Sequence, residues 1–327
     1  MAIRCNGMTR PTTFLAVTVF LAGFALITQP SAQADTFGTS GNEFTINFVD
    51  IGNTSNAADT TGYGAVPYEY RMGTYEISQD AIDKATASGM ADVTAGAGVG
   101  SGSGPWTGNQ PADINWYEAA AFVNFLNTNS GKTAAYDLTF SNSQWSMALW
   151  SSEQAWTAGG TNLYRNKNAY YFLPSENEWY KAAYYNAAGT NYFLYPTGSD
   201  TAPTAVASGT NAGSAVYNGA ASVPAIVGSA GGLSPYGTMG QGGNVYEWNE
   251  SAFDGANSSA SEPRTIRGGY WVEPHQDSLR SLDRQLDGPS WGDFRIGFRV
   301  ASVPEPSTYA LLLMTGAGVL WMTRKRR

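Results

Sequence analysis

Gly242-Gly243-Asn244-Val245-Tyr246-Glu247-Trp248 is the stretch that decides how this 327-residue chain is read. Glycine reaches backbone conformations closed to other residues, so Gly242 and Gly243 allow a tight turn, and Glu247 beyond them offers a hard oxygen. Upstream, Gly189 to Gly243 is rich in Ala, Gly and Ser, with isolated aromatics at Tyr192, Tyr195 and Tyr217 and no sustained period. Its backbone groups must therefore be satisfied by turns, water or ions. Downstream, Thr265 to Trp271 and Phe294 to Val300 carry short strand signals.

Toward the N-terminus two helices have clear start signals. Asp113 to Asn115 can cap a helix in which Trp116, Ala119, Ala120, Phe122, Val123, Phe125 and Leu126 recur at helical spacing, and its apolar face should pack on a sheet. Pro174-Ser175-Glu176-Asn177-Glu178 is a cap and an acidic first turn leading into Trp179, Ala182, Ala183 and Tyr184. Phe44 to Val49 alternates as a strand, and Tyr68 to Ile77 reads as two short strand-like pieces about Gly73. Ser88 to Gln110 has almost nothing to bury and reads as a surface loop. With no internal repeat and no clean linker, one domain is the economical reading.

Four pieces then stand in a fixed order: Leu173 to Trp179, Gly242 to Trp248, Arg267-Gly268-Gly269-Tyr270-Trp271, and Gly297-Phe298-Arg299. With Tyr75-Glu76-Ile77-Ser78 and Trp116-Tyr117-Glu118-Ala119-Ala120 ahead of them, they resemble the sulfatase-modifying-factor domain of formylglycine-generating enzymes, from about Tyr68 to Ala301. The resemblance implies an α+β domain with little regular secondary structure, related to the C-type lectin fold and often stabilised by calcium. It puts one calcium on the carbonyls of Gly243 and Val245 and the carboxylate of Glu247, although Gly240 stands where a ligand side chain is expected. It puts another on Asn211 and the carbonyl of Ala212. Ordinary turn chemistry is the competing reading of these Asn and Gly residues.

The catalytic comparison is sharper. The family's oxidases bind copper(I) with two cysteines, because soft thiolates suit that ion. Here the two positions fall on Glu273 and Ser278, whose carboxylate and hydroxyl are the wrong donors, so copper is not expected. Glu273, His275, Asp277 and Ser278 form either a different divalent-metal or acid/base set or a solvated loop. Arg267, Arg280, Arg284 and Arg299 read mainly as structural partners of Asp283, Asp287 or Glu247, with Arg280 and Arg284 kept as candidates for ligand recognition. Trp271 and Trp291 are candidates for stacking on a sugar, against a reading as core packing that is stronger for Trp271.

The ends give the context. Arg4 and Arg10, the apolar run Thr13 to Thr28 and Ala32-Gln33-Ala34 read as an export signal over residues 1–34, with the mature chain starting at Asp35. Residues 35–302 form the domain. The tail 303–327 holds Pro304-Glu305-Pro306, an apolar stretch from Tyr309 to Met322 and the basic end Arg324 to Arg327. It resembles a PEP-CTERM sorting signal, which implies transient membrane insertion, an exosortase-type processing enzyme as partner, and a final place on the surface or in the extracellular matrix of a Gram-negative bacterium.

The formal charge of −8, with no basic block outside the tail, argues against nucleic acid. The one cysteine, Cys5, lies in the signal, so the mature chain has neither disulfide nor thiolate. These features point to an exported, non-catalytic binding module for a glycan such as extracellular polysaccharide, or for a surface protein. The alternatives are a cysteine-free, metal-dependent oxidase and a purely structural matrix component.

Overall fold

The computed structural model describes residues 33–90 and 106–304. Of the expected export signal over residues 1–34, residues 1–32 lie outside the described residues, as do the Gly/Ala/Ser stretch 91–105 and residues 305–327 of the expected sorting tail, while Gln33 and Ala34 are described and extended. Among those described, no helix is long and apolar enough to cross a membrane.

Three helices and a set of short strands make an α+β fold of the formylglycine-generating-enzyme type. β1 (Gln33–Phe37), β2 (Phe44–Ile51) and β3 (Tyr70–Gly73) form successive antiparallel pairs. α1 (Gln79–Ala87) follows, capped by Ser78, and then α2 (Trp116–Asn129). β4 (Tyr171–Phe172) leads into α3 (Glu176–Tyr184), and β5 (Tyr246–Ala252), β6 (Arg264–Arg267), β7 (Gln285–Asp287), β8 (Ile296–Gly297) and β9 (Ala301–Ser302) complete the frame. Among the described residues a five-stranded sheet has the order β1-β2-β3-β9-β4 and a four-stranded sheet the order β7-β6-β5-β8, and four two-stranded pairs lie beside them, one a hairpin of Ala155–Trp156 with Asn162–Asn166. Ala301 lies between Met72 and Phe172, so the last strand closes the first sheet. In the second sheet β5 pairs antiparallel with β6 and parallel with β8, setting Glu247 between Arg267 and Gly297.

Both anticipated helices form as their caps dictate. The Asn115 side chain accepts from Glu118 N and Glu118 answers to Asn115 N; Ser175 and Glu178 repeat the exchange on α3. α2 packs on β4, as its apolar face requires. Three tryptophans are fully buried and each finds an acceptor for its indole N–H: Trp116 on Asn249 O, Trp248 on Ile114 O, and Trp179 on Glu247.

Several local readings are corrected. Tyr68 to Ile77 holds one strand, β3, because beyond Gly73 the chain bonds by single contacts, such as Ile77 N to Phe298 O, rather than a ladder. The sequence reading passed over α1, whose stripe is short. The described ends of the Ser88–Gln110 segment, Met90 and Trp106, are buried rather than bare surface. Only Arg264–Arg267 and Ile296–Gly297 of the two late strand signals are extended and paired, since Gly268 and Gly269 both take positive φ.

Candidate functional site

The Gly242–Trp248 stretch sits at the junction of the two sheets. Gly243 has φ +84°, and a Cβ there would lie 2.1 Å from the Val216 carbonyl oxygen, so only glycine fits the close approach. Asn244, also left-handed, donates from Nδ2 to Glu76 Oε2 at 2.8 Å and accepts from Ala225 N at 2.8 Å. Glu247 is fully buried: Arg299 holds both its oxygens at 2.6 Å, and Trp179 Nε1 reaches Oε2 at 2.7 Å.

At Gly240 a side chain is replaced from elsewhere in the chain. A Cβ on Gly240 would lie 2.8 Å from Glu76 Oε2, so the Glu76 carboxyl occupies the space a ligand side chain at 240 would need. Burial first, and then the nearby Glu247 charge, push the Glu76 carboxyl well above the usual carboxylate range, against the pull of Arg299. Its Oε1 has no hydrogen-bond partner among the described residues.

This donor set does not fit calcium at Gly243, Val245 and Glu247. The hard oxygens of Glu247 are already spent on a guanidinium and an indole, and an ion would have to displace Arg299. Asn211 and Ala212 are exposed, and the Asn211 carbonyl closes a turn with Ser214. The Asn211 side chain has no partner among the described residues.

The loop after β6 is fastened on both sides. Trp271 N donates to Asn244 O, Gly219 N to Trp271 O and Asn218 N to Glu273 O, while Tyr184 Oη donates to Leu279 O. Glu273 is half-buried, 3.5 Å from the Tyr246 hydroxyl, and burial followed by Asp283 raises its carboxyl. Ser278 is buried and donates to His275 O at 3.0 Å, whereas His275 and Asp277 are exposed. The His275 imidazole lies near enough to Glu273 to oppose the rise of its carboxyl, while the Ser278 hydroxyl is spent on the His275 carbonyl. Among the described residues no group of three His, Cys, Asp or Glu side chains could hold a metal ion. With a carboxylate and a buried hydroxyl at the two thiolate positions, the loop does not fit copper(I).

The other candidates separate in the same way. Trp271 is 2% exposed and packs edge-on against Trp106 at 5.3 Å, so it offers no stacking face, whereas Trp291 is 50% exposed. Arg284 is bound to Glu176, which also takes Arg267, and Arg280 meets Asp277 at 3.3 Å. The expected pairing of Arg299 with Glu247 is present. Arg267 and Arg284 instead converge on Glu176, and Asp283 contributes its carbonyl to Arg267. The sequence reading missed Glu76, Glu176 and Arg165 as members of buried charge clusters. The acidic first turn of α3 was the available signal for Glu176, but nothing local gave its partners.

A model of the sulfatase-modifying factor enzyme 1-like domain matches residues 31–303. The chain belongs to this family. Among solved structures it is similar to variable protein 1 of Treponema denticola, at 21% identity and a TM-score of 0.56, covering 84% of this chain and all of that one. It also matches PvdO from Pseudomonas aeruginosa, at 18% identity and a TM-score of 0.49, over 84% of this chain and 99% of that one. CarF aligns at 21% identity with a TM-score of 0.49, over 72% and 87%. The likeness to the Treponema denticola protein concerns the fold. No curated protein matches the chain.

Proposed function

We propose that this member of the sulfatase-modifying-factor family is an exported, non-catalytic binding module, displayed on the surface or in the extracellular matrix of a Gram-negative bacterium. The observation that carries the reading is the pair Glu273 and Ser278 at the positions of the family's copper-binding cysteines, in a chain with no thiol beyond Cys5. A fold that keeps its frame and loses its nucleophilic and metal-binding sulfurs retains a shaped loop surface. Four of the eight exposed large apolar side chains of the described residues, Val272, Leu282, Leu286 and Trp291, come from this one segment. We read these side chains as the contacts the module would offer a partner. The partner would be an extracellular polysaccharide or a surface protein.

Export and sorting follow from the termini. The signal would be cut before Asp35, and Pro304-Glu305-Pro306 would direct the tail through the membrane to an exosortase-type enzyme. Intact mass of the protein recovered from the native surface tests this: loss of both termini is expected, and retention of the Arg324–Arg327 end would overturn the sorting reading. For the domain, purified protein is incubated with a cysteine-containing sulfatase peptide, oxygen and copper(I), and with cell-surface polysaccharide. Saturable polysaccharide binding with no formylglycine is the expected result. Aldehyde formation at the peptide, or a stoichiometric redox metal in the isolated protein, would favour the oxidase alternative.

A further inference from the structure

Away from the Glu273 loop in sequence, a cleft of about 270 Å³ opens between segment 63–68, the hairpin around Trp156, the start of α3 and loop 254–257. Its lining is mainly polar and includes the rings of Tyr63, Tyr68 and Trp156, with the Arg165 guanidinium 5.2 Å from the Trp156 ring centroid. Tyr68 and Trp156 meet edge to face with centroids 5.5 Å apart, and both are only partly buried. Their polar ends are fixed elsewhere, Tyr68 Oη on Glu178 at 2.8 Å and Trp156 Nε1 on Ala158 O at 2.9 Å, so the rings are preset.

The charged groups beneath are closed on one another. Arg165 binds Glu178 and Glu250, and Glu176 binds Arg267 and Arg284, so no arginine of the floor is free for a phosphate, sulfate or carboxylate. Four further polar groups of the lining are neutral or acidic and each accepts one backbone bond. Asn177 Oδ1 accepts from Gly64 N, Asn257 Oδ1 from Ala252 N, Asp254 Oδ1 from Ala256 N, and Ser251 Oγ from Glu176 N. That leaves Asn177 Nδ2, Asn257 Nδ2, the Asp254 Oδ2 and the Ser251 hydroxyl proton without a protein partner among the described residues.

Fixed amide donors, a hydroxyl and a carboxylate acceptor beside preset ring surfaces suit a ligand that carries several hydroxyls and an apolar C–H face. Groups already immobilised lose little entropy on binding. The Asp254 carboxylate disfavours an anionic ligand. We infer that this cleft binds a neutral saccharide, with its C–H face against Trp156 and Tyr68 and its hydroxyls on Asn177, Asn257 and Asp254. The inference rests on reading the domain as a binding module and adds a ligand class and a second site, distinct from the Trp291 segment.

The test titrates the purified protein with neutral oligosaccharides, uronic-acid oligosaccharides and a lysine-rich peptide, following tryptophan fluorescence and calorimetry. Neutral oligosaccharides should bind, Asn177→Ala should weaken them at least about tenfold, and Ile226→Ala, at an exposed side chain outside both the cleft and the Trp291 segment, should leave them unchanged. Asp254→Asn, on an exposed loop, should keep the fold and raise the affinity for uronic-acid oligosaccharides. Binding that survives Asn177→Ala but is lost in Trp291→Ala would overturn the cleft and keep the binding-module reading. Preference for the peptide, or no change in anion affinity with Asp254→Asn, would overturn the saccharide assignment. Failure of every saccharide and of cell-surface polysaccharide would overturn both.

Discussion

Arg299 grips Glu247 through two hydrogen bonds of 2.6 Å, Nε to Oε2 and Nη2 to Oε1, with neither side chain exposed. The same guanidinium donates to the carbonyls of Gly73 and Met239, so it ties the first sheet, the second sheet and the Gly240 turn together. Removing one partner of a buried pair strands the other charge. Arg299→Met should therefore cost about 3–5 kcal/mol in urea unfolding. A loss under about 1 kcal/mol would mean that the pair does not organise the junction.

Asp113, buried just before α2, has its carboxyl raised from the model-peptide 3.8 to about 6, by burial first and then by Asp293 and Glu118. An acid whose folded pKa lies above its unfolded one favours the folded state at low pH, and that contribution is lost as pH rises from about 4 through about 6. Asp113→Asn removes the titration. Relative to wild type the variant should gain on the order of 2 kcal/mol between pH 4 and pH 7. Parallel stability-against-pH curves would refute this.

Ser175 caps α3 by accepting from Glu178 N, and the Glu178 carboxylate accepts from Ser175 N at 2.6 Å. Ser175→Ala leaves a helix donor without its acceptor and should cost about 1 kcal/mol, read as a lowered unfolding midpoint at unchanged slope.

Of the two calcium positions that the family resemblance implies, the one at Glu247 is taken up by Arg299, and the Asn211–Ala212 turn is exposed. EDTA should lower the melting temperature by less than about 3 °C, which for a domain of this size is under about 1 kcal/mol. A larger fall that disappears in Asn211→Ala would assign a structural ion to that turn. A larger fall unchanged by Asn211→Ala would place the ion at Gly243 to Glu247 after all.

If the missing thiolates alone separate this loop from the copper-binding form, Glu273→Cys/Ser278→Cys should bind one copper(I) per chain in a chelator competition, and wild type none. Failure of the double variant to bind would show that the fastened loop, with Ser278 buried against Gly269, also holds the two positions out of reach of a common ion.

Features written in adjacent residues were legible before the fold was known. The caps at Asn115 and Ser175 fixed where α2 and α3 begin, because a capping box closes within four residues. Glu273 and Ser278 fixed the loss of thiolate chemistry, because no folding can supply an absent sulfur. The ordered motifs from Glu76 to Arg299 were enough to name the fold class. Which charges meet depends on packing between segments distant in the chain. Arg267 and Arg284 turn to Glu176 rather than to Asp283 or Asp287, Arg165 gathers Glu178 and Glu250, and Trp271 goes inside while Trp291 stays out. Glu76 fills the space left empty at Gly240 from far away in the chain. Such partnerships depend on which surfaces the strands bring within a few ångströms, and a buried charge takes whichever counter-charge the packing leaves beside it.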